Sequence, residues 1–358
     1  MGNGVNQKPK YSPAQQLLNF NDNTSKYKSP LQTQVGAENG TLKFQFEPSK
    51  LLSKTYLLIT AVCTIVQAAA VPATPHEDGV WNFIKKISLI SHKGFRPFDV
   101  SGSMIRDINY ANLGSVRMTP AVVDGRSRVV QGVTSAAGGG AANAVRLLVE
   151  LPNTINDRDL AGLILLQNDK VNLSLEVTLG NVTDLFPAVG GFTYTLSAIS
   201  VTVTQDLFNI PDDLNFYPID LIRVVKLNHE FSQAITIGDN LIRLTTGNTF
   251  RKIFLQFYTA AGVRAADATL GDIYLILGGS TYKYQVSPYQ LAMENSEDGY
   301  ILPYGCFVID LSSGQGLRNL SGRRDYINTD NLGELNIRVN STAAGLVKVC
   351  TETLTTMI

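Results

Sequence analysis

The sequence predicts an all-β protein built from two similar barrels, and three observations lead to this fold class. Short segments of alternating apolar and polar residues recur through the chain, as at Leu42, Phe44 and Phe46. Such segments, bounded by Gly, Pro, Asn and Asp, are typical of sandwiches and barrels. Helical patterns of ten or more residues are few. An ordered series of similar segments recurs in both halves of the chain.

Composition and charge exclude several classes of protein. The 358 residues include 30 Lys and Arg against 30 Asp and Glu, so no net charge attracts nucleic acid and we predict no specific binding to it. With 44% hydrophobic and 17% charged residues, the chain is typical of a packed globular protein. Cys63, Cys306 and Cys350 form no CxxC pair and no even set. This disfavours a metal cluster or a disulfide framework and favours a reducing compartment.

Residues 1–40 are predicted to form an N-terminal arm. They contain four lysines and no sustained apolar period, and their start lacks the apolar core of a secretory signal. Within the arm, Ser12–Phe20 predicts a short helix, because Ser can cap it and Pro suits the first helical position. A helix this short is not stable alone in water. It must therefore lie against its own domain, a neighbouring subunit or a lipid surface.

An uncharged segment follows at Thr55–Pro75. Its length approaches that of a membrane span, but Thr60, Thr64 and Gln67 interrupt it and its first half is rich in β-branched residues. We interpret it as a buried strand that runs into an Ala/Pro loop.

Further segments of period two predict the remaining strands, and two segments predict helices. The helices are Ser101–Leu113 and Ser287–Glu297. The predicted strands lie within residues 41–46, 171–179, 193–204, 251–258, 272–277 and 334–339.

The two predicted helices lie in an internal duplication. The segments F-D-V-S-G-S-M-I-R-D-I-N and Y-Q-V-S-P-Y-Q-L-A-M-E-N align at an offset of 287 − 101 = 186, which matches Ser101 with Ser287 and Asn109 with Asn295. In both copies the serine follows a strand and can cap the next helix. The same offset matches an upstream set, Ile87, Leu89 and Ile90 with Ile273, Leu275 and Ile276.

A second set of matches lies downstream at smaller offsets. An offset of 309 − 149 = 160 matches Val149 with Ile309 and an R-x-L-x-G motif at Arg158 with another at Arg318. An offset of 335 − 173 = 162 then matches residues 173–177 with 335–339. The drop in offset predicts a longer loop in the first half, near residues 133–143. The alternative is chance similarity between β-rich segments.

The duplication predicts two copies of one β-domain. We expect them at residues 41–206 and 214–358, joined by a Pro/Asp linker at residues 207–213.

Residues that carry catalysis are not grouped in this sequence. His76, His92 and His229 form no metal-binding motif, and no G-x-S-x-G nucleophile elbow occurs. Carboxylate pairs such as Glu77-Asp78 lie in segments typical of turns. We therefore predict no catalytic residue, cofactor or metal. A group of tyrosines in the second half is equally compatible with barrel rims and with interface anchors: Tyr282, Tyr284, Tyr289, Tyr300 and Tyr304.

The duplicated layout, together with L-P-N-T-I-N-D-R-D-L-A-G-L-I-L-L-Q-N at residues 151–168, resembles the double jelly-roll major capsid proteins of tectivirus-type, membrane-containing icosahedral viruses. The segment is similar to that family's strand, short helix and strand. The resemblance covers about residues 41–358. It implies two consecutive eight-stranded jelly-roll barrels with short helices in the loops, and homotrimers that tile pseudo-hexagonally.

The same resemblance implies a non-enzymatic component of the virion that is present in the host cytoplasm before assembly. Its partners would be further copies of itself, vertex and minor capsid proteins and an internal lipid membrane. The arm would contact neighbours or the membrane through Lys8, Lys10, Leu17, Leu18, Phe20, Lys26 and Lys28.

Two other classes remain open. A two-barrel carbohydrate-binding or sugar-processing protein would need a concave site lined by aromatic rings and carboxylates. A bicupin-like enzyme would need clustered metal ligands.

Overall fold

The computed structural model describes residues 12–48, 50–91, 94–113, 127–155, 159–166, 172–211, 222–279, 281–300, 302–312 and 326–356. Within these residues the chain forms two β-barrels. The helices are α1 (Pro13–Asn23), α2 (Gly102–Leu113), α3 (Val182–Leu185) and α4 (Pro288–Glu297), with short 3-10 helices at Gly79–Phe83 and Asp267–Thr269. The first-half strands are β1 (Lys26–Val35), β2 (Thr41–Gln45), β3 (Leu51–Gln67), β4 (Ile84–Ile90), β5 (Phe98–Val100), β6 (Val129–Gln131), β7 (Ala136–Ala137), β8 (Ala141–Pro152), β9 (Ile164–Leu165), β10 (Ser174–Leu179) and β11 (Phe192–Phe208). The second-half strands are β12 (Val224–Ile235), β13 (Gly238–Leu244), β14 (Thr249–Thr259), β15 (Leu270–Leu277), β16 (Thr281–Val286), β17 (Cys306–Asp310), β18 (Ile327–Asn328), β19 (Leu335–Ser341) and β20 (Gly345–Thr356).

The two barrels have the same strand order. In the first, the sheet β1-β11-β3-β8 faces the strands β2-β10-β4-β5; in the second, β12-β20-β14-β17 faces β13-β19-β15-β16. If the eight strands of each barrel are counted along the chain, both contain one sheet of order 1-8-3-6 and one of order 2-7-4-5. This is the jelly-roll arrangement. The predicted duplication is therefore confirmed at the level of topology.

One sheet runs through both barrels. Strand β12 of the second barrel pairs in parallel with β5 of the first, with Asn228 opposite Phe98 and His229 opposite Asp99. The backbone N–H of Asn228 also donates to the carbonyl of Pro97 at 2.8 Å. The pairing covers the edges of β5 and β12, which would otherwise expose unpaired backbone groups.

Each barrel has its own apolar core. Alternate residues of β3, such as Leu57, Ile59 and Cys63, lie fully buried in the first core, while Ile253 and Leu255 of β14 lie in the second. Because successive side chains of a strand point to opposite faces, every second residue fills the barrel. Burial of each large aliphatic side chain contributes about 1.5–3 kcal/mol.

Most predicted elements are confirmed. The expected helices at Ser101–Leu113 and Ser287–Glu297 correspond to α2 and α4, and Ser12–Phe20 lies at the start of α1, which Ser12 caps through its hydroxyl. The first half has the longer connection, as predicted, but it begins earlier than residue 133. It lies between α2 and β8 and includes β6 and β7, whereas α4 is followed within ten residues by β17.

The predicted arm is too long. Residues 26–35 form β1, which pairs with β11 and completes the first barrel. Sequence patterns do not predict this strand because it has one solvated face and charged residues, as is typical of an edge strand. Pro30 is tolerated there because it lies at an edge beside a register shift. The last strand of the barrel, β11, extends to Phe208 and so includes the first two residues of the predicted linker. Residues 209–211 of that linker are not in a strand, and residues 212 and 213 lie outside the described residues.

The segment at residues 151–168 is described only in part. After β8 ends at Pro152, residues 159–166 form a turn and the short strand β9, with no helix in that described part. Arg158, Arg318 and the rest of the second R-x-L-x-G motif lie outside the described residues.

The uncharged segment at Thr55–Pro75 is strand up to Gln67, followed by non-strand residues, as predicted. Among the residues described, none of the helices has the length and apolarity needed to cross a membrane.

Candidate functional site

The most elaborate polar structure in the described chain lies where the two barrels meet. Helix α2 is inserted at this contact, and its residues 102–109 are all buried. Gly102 begins the helix against the first barrel, where a Cβ atom would lie 1.9 Å from the carbonyl oxygen of Trp81. Only glycine therefore allows the helix to begin this close to the Trp81 backbone.

A set of buried polar side chains joins the barrels, and we call it the junction cluster. Gln256 of β14 donates to the Ser103 carbonyl at 2.9 Å and to an Asp107 carboxylate oxygen at 2.6 Å. The Arg106 guanidinium pairs with Asp107. The cluster comprises Asp78, Ser103, Arg106 and Asp107 of the first barrel with Gln256, Tyr258 and Arg264 of the second.

The carboxylate of Asp78 lies between two cations in this cluster. Arg106 comes from its own barrel and Arg264 from the other. Burial raises the pKa of the Tyr258 hydroxyl, which donates to Gln256 at 3.0 Å. Buried charges are costly unless they are paired, so separation of the barrels would leave groups on both sides without partners.

A second contact across the junction involves Glu230 of β12. Its carboxylate accepts from the Ser101 backbone N–H at 2.5 Å and from the Ser101 hydroxyl at 2.9 Å. The predicted capping role is confirmed for Ser287, whose hydroxyl accepts from the Gln290 N–H at 3.2 Å. Ser101 instead directs its hydroxyl to the other barrel.

A group of charges is buried on the second barrel at the same contact. Lys226 donates to the Thr154 carbonyl of the first barrel at 2.9 Å and lies 3.6 Å from Glu352. Burial lowers the pKa of Lys226 to about 8, although the Glu352 charge opposes this shift. Beside it, Lys252 and Asp310 form an ion pair at 3.1 Å.

The outer face of the sheet β12-β20-β14-β17 is therefore covered by the first barrel. Residues 250–258 of β14 are all buried, and Phe254, Val308 and Cys350 belong to the apolar cluster of the first barrel. The equivalent face of the first barrel lies on the sheet β1-β11-β3-β8. In the middle of this face the outward side chains of β3 and β11 are uncharged and half-buried, whereas Lys54 and Asp206 lie toward one end of it. We call the uncharged residues the outer sheet face: Leu58, Thr60, Val62, Ser200 and Thr202.

Three of the seven residues predicted for the arm contacts are occupied within the chain. Phe20 is 0% exposed in a small cluster with Leu51, Leu160 and Leu163, so its expected contact with a neighbour or a membrane is wrong. Leu18 is 62% exposed. Lys26 and Lys28 both approach Asp206, at 3.1 and 3.8 Å, and Lys28 also lies over the Tyr56 ring. Leu17 lies in α1, while Lys8 and Lys10 are outside the described residues.

The tyrosines of the second half take different roles. Tyr300 is buried and accepts from Lys252 at 3.1 Å, and the Tyr284 hydroxyl donates to Glu294 at 2.6 Å. Tyr289 is 72% and Tyr304 is 50% exposed. Tyr282 lies in β16.

The two described histidines each contact a backbone carbonyl and not each other. His76 meets the Thr183 carbonyl and His229 meets the Arg96 carbonyl, while His92 is outside the described residues. In the part of the chain that the structure describes, no three His, Cys, Asp or Glu side chains are placed to hold a metal ion.

Sequence patterns did not identify the junction cluster. One signal was available: R-K-I-F-L-Q-F-Y is apolar beyond simple alternation, which is typical of a strand covered on both faces. Gln256 within it then marks a buried polar contact. The partners Asp78 and Arg106 follow no spacing rule, because only the tertiary fold brings them together.

Comparison with known proteins relates this architecture to a class of structures. No protein-family model and no curated protein matches the sequence. Among solved structures, the STIV MCP superposes with a TM-score of 0.69 at 14% identity, over 93% of this chain and 97% of that one. The capsid of the PBCV-1 virus gives a TM-score of 0.62 at 11% identity, over 93% and 94%. The major capsid protein P2 from Bacteriophage PM2 gives 0.56 at 9% identity, over 93% and 98%.

The class that these findings define is the double jelly roll found in viral major capsid proteins. The chain has this fold over both barrels, and the fold predicted by the resemblance is confirmed.

Proposed function

We propose that this protein is the major capsid protein of an icosahedral virus, a non-enzymatic block that forms pseudo-hexagonal homotrimers. The observation that carries the proposal is the pair of equal jelly rolls held rigidly side by side. A likeness covering 93% of the chain connects this arrangement to structures of viral capsid proteins.

The junction supports this function physically. A block that tiles a shell must keep a fixed angle between its barrels. The shared sheet and the buried ion pairs of Asp78 resist rotation of one barrel against the other. Two barrels in one chain also allow three chains to place six barrels around an axis, which fits a hexagonal lattice.

The finer features of this function belong to the same proposal. We assign the first barrel to residues 26–208 and the second to residues 224–356. The part of the arm before α1, with Lys8 and Lys10, would reach neighbouring capsomers or an internal membrane, and the exposed side chain of Leu18 is compatible with either contact. Vertex and minor capsid proteins would bind the assembled shell, and the protein would pass through the host cytoplasm before it enters the virion.

Electron microscopy of the purified full chain, and of the particle from which it comes, tests the proposed function. We expect hexagonal blocks in the purified sample and a shell tiled by the same blocks in the particle. Saturable binding of a sugar by a chain that forms no such blocks would instead favour the two-barrel carbohydrate-binding class.

A further inference from the structure

Helix α4 of the second barrel carries two large exposed side chains one turn apart. Tyr289 is 72% and Met293 is 51% exposed. They share a face because residues four apart on a helix are neighbours. Single exposed apolar residues need no explanation, but a Tyr and a Met together on a helix that is otherwise anchored to its barrel are typical of an interface.

The equivalent helix of the first barrel, α2, shows what can cover such a helix face. At the offset of 289 − 103 = 186 and 293 − 107 = 186, Tyr289 and Met293 correspond to Ser103 and Asp107 of α2. Those two residues receive hydrogen bonds from Gln256, which lies on the outer face of the second barrel's sheet. Within one chain, this face of α2 is therefore buried against the 1-8-3-6 sheet of the neighbouring barrel.

Among the residues that the structure describes, no helix covers the matching sheet of the first barrel in this way. It is the outer sheet face defined above, on strands that hold the same positions in the topology as β14 and β20. The described part of each chain thus presents one helix face and one sheet face that are not paired with each other. These two faces are the counterparts of the pair already joined inside it.

We propose that the α4 face containing Tyr289 and Met293 docks on the outer sheet face of a second copy of this chain. This inference rests on the proposed function and specifies which surfaces form the contact between subunits. The contact is head-to-tail, because one copy gives its second barrel and the other its first, and such contacts close into rings when the rotation permits.

The chemistry of the two contacts changes in a matched way. Within the chain, Ser103 and Asp107 meet polar partners, Gln256 and Lys348, at 2.6–3.2 Å. Between chains, an aromatic ring and a thioether would meet Leu58, Thr60, Val62, Ser200 and Thr202, which are all uncharged. The polar face of α2 thus meets polar side chains within the chain, and the apolar face of α4 would meet the uncharged outer sheet face of another chain.

Charged substitutions on the full chain test this docking. In the double variant Tyr289→Glu with Met293→Glu, two carboxylates would be buried against the uncharged residues of the outer sheet face. We expect the concentration for half-assembly to rise at least about tenfold. The matched control is Ile237→Glu, because Ile237 is also 72% exposed but lies in the turn between β12 and β13. It should assemble as the wild type does.

A second variant tests the other surface and the pairing itself. Thr60→Lys with Thr202→Lys should weaken assembly in the same way, and all four substitutions in one chain should restore it at least in part, because the new charges then face each other between copies. Near-ultraviolet circular dichroism from the buried Trp81 verifies that each variant is folded.

The outcomes separate this docking from the function on which it rests. If the wild type assembles but the α4 variant assembles equally well, the docking is wrong while the proposed function stands. If the wild type itself stays monomeric over the micromolar range, the proposed function fails first.

Discussion

Asn109 and Asn295 make the same pair of hydrogen bonds in the two barrels. The Asn109 amide donates to the Glu150 carbonyl at 2.7 Å and accepts from the Glu150 N–H at 2.9 Å. The Asn295 amide donates to the Val308 carbonyl at 2.7 Å and accepts from the Val308 N–H at 2.8 Å. In each barrel the helix amide thus bonds to the free backbone edge of the sixth strand, which is β8 in the first barrel and β17 in the second. The amide takes the place of a neighbouring strand and prevents that edge from pairing with another chain at this point.

Loss of either amide is expected to destabilise its barrel. Asn109→Ala or Asn295→Ala leaves a buried backbone N–H and C=O without partners, which costs about 1–3 kcal/mol. The two sites share no partner, so the double variant should lose the sum of the two. Urea denaturation measures these changes, with Asn23→Ala, at an exposed position of α1, as the control. An unchanged free energy of unfolding in both single variants would contradict the role assigned to the amides.

Gly102 provides a test of the close approach at the junction. An alanine there places its Cβ on the Trp81 carbonyl oxygen, and backbone must move to relieve the contact. We expect Gly102→Ala to lower the free energy of unfolding by about 3 kcal/mol or more. Gly139→Ala is the matched control, because a Cβ added there meets nothing within 4 Å. Equal melting temperatures for the two variants would argue against this account of the helix start.

Phe20 is expected to hold α1 on the first barrel. In Phe20→Ala the helix loses its one fully buried aromatic contact, at a cost of about 3 kcal/mol, and should detach before the barrel unfolds. Limited proteolysis would detect this as faster cleavage within residues 12–25. Leu18→Ala, at the 62% exposed position, should be cleaved at the wild-type rate. If Phe20→Ala resisted cleavage equally, α1 would be held by other contacts.

Asp310 is expected to contribute to acid unfolding. Burial opposes its ionisation, but the Lys252 charge and hydrogen bonds from Ser312 and Tyr300 outweigh burial and lower its pKa from 3.8 to about 2. The unfolded chain therefore binds this proton first as pH falls. Its contribution to stability is complete above about pH 4 and is lost as the pH falls from about 4 to about 2.

The slope of unfolding free energy against pH checks this assignment. Asp310→Asn should have a shallower slope between pH 4 and 2, and the exposed Asp330→Asn should keep the wild-type slope. An unchanged slope in Asp310→Asn would exclude the ion pair with Lys252 as a source of acid sensitivity.

Sequence patterns identified the elements that obey local rules. Strand β10 alternates cleanly because one face is buried and the other is not, and α4 carries its own cap at Ser287. The offset of 186 also matched Asn109 with Asn295, although it gave no sign of what the amides do. Their partners lie on strands that only the folded barrel brings beside the helix.

Other elements were hidden for physical reasons. Residues 225–228 of β12 are buried although Lys226 breaks their apolar pattern, because the first barrel covers them. Lys226 is compensated by Glu352, which lies more than a hundred residues away in the sequence. Similarly, β1 falls within the predicted arm because its lysines are typical of a solvated segment, whereas in the fold they pair with Asp206 on β11. Burial that depends on distant partners leaves no local signature.

Sedimentation equilibrium of the wild-type full chain at micromolar concentration measures the number of copies that associate. With a chain mass of 38.9 kDa, a particle of three chains would weigh 3 × 38.9 = 116.7 kDa, and this is the mass that we expect. A single species at 38.9 kDa across that concentration range would contradict the claim that the two jelly rolls exist to join copies of this chain.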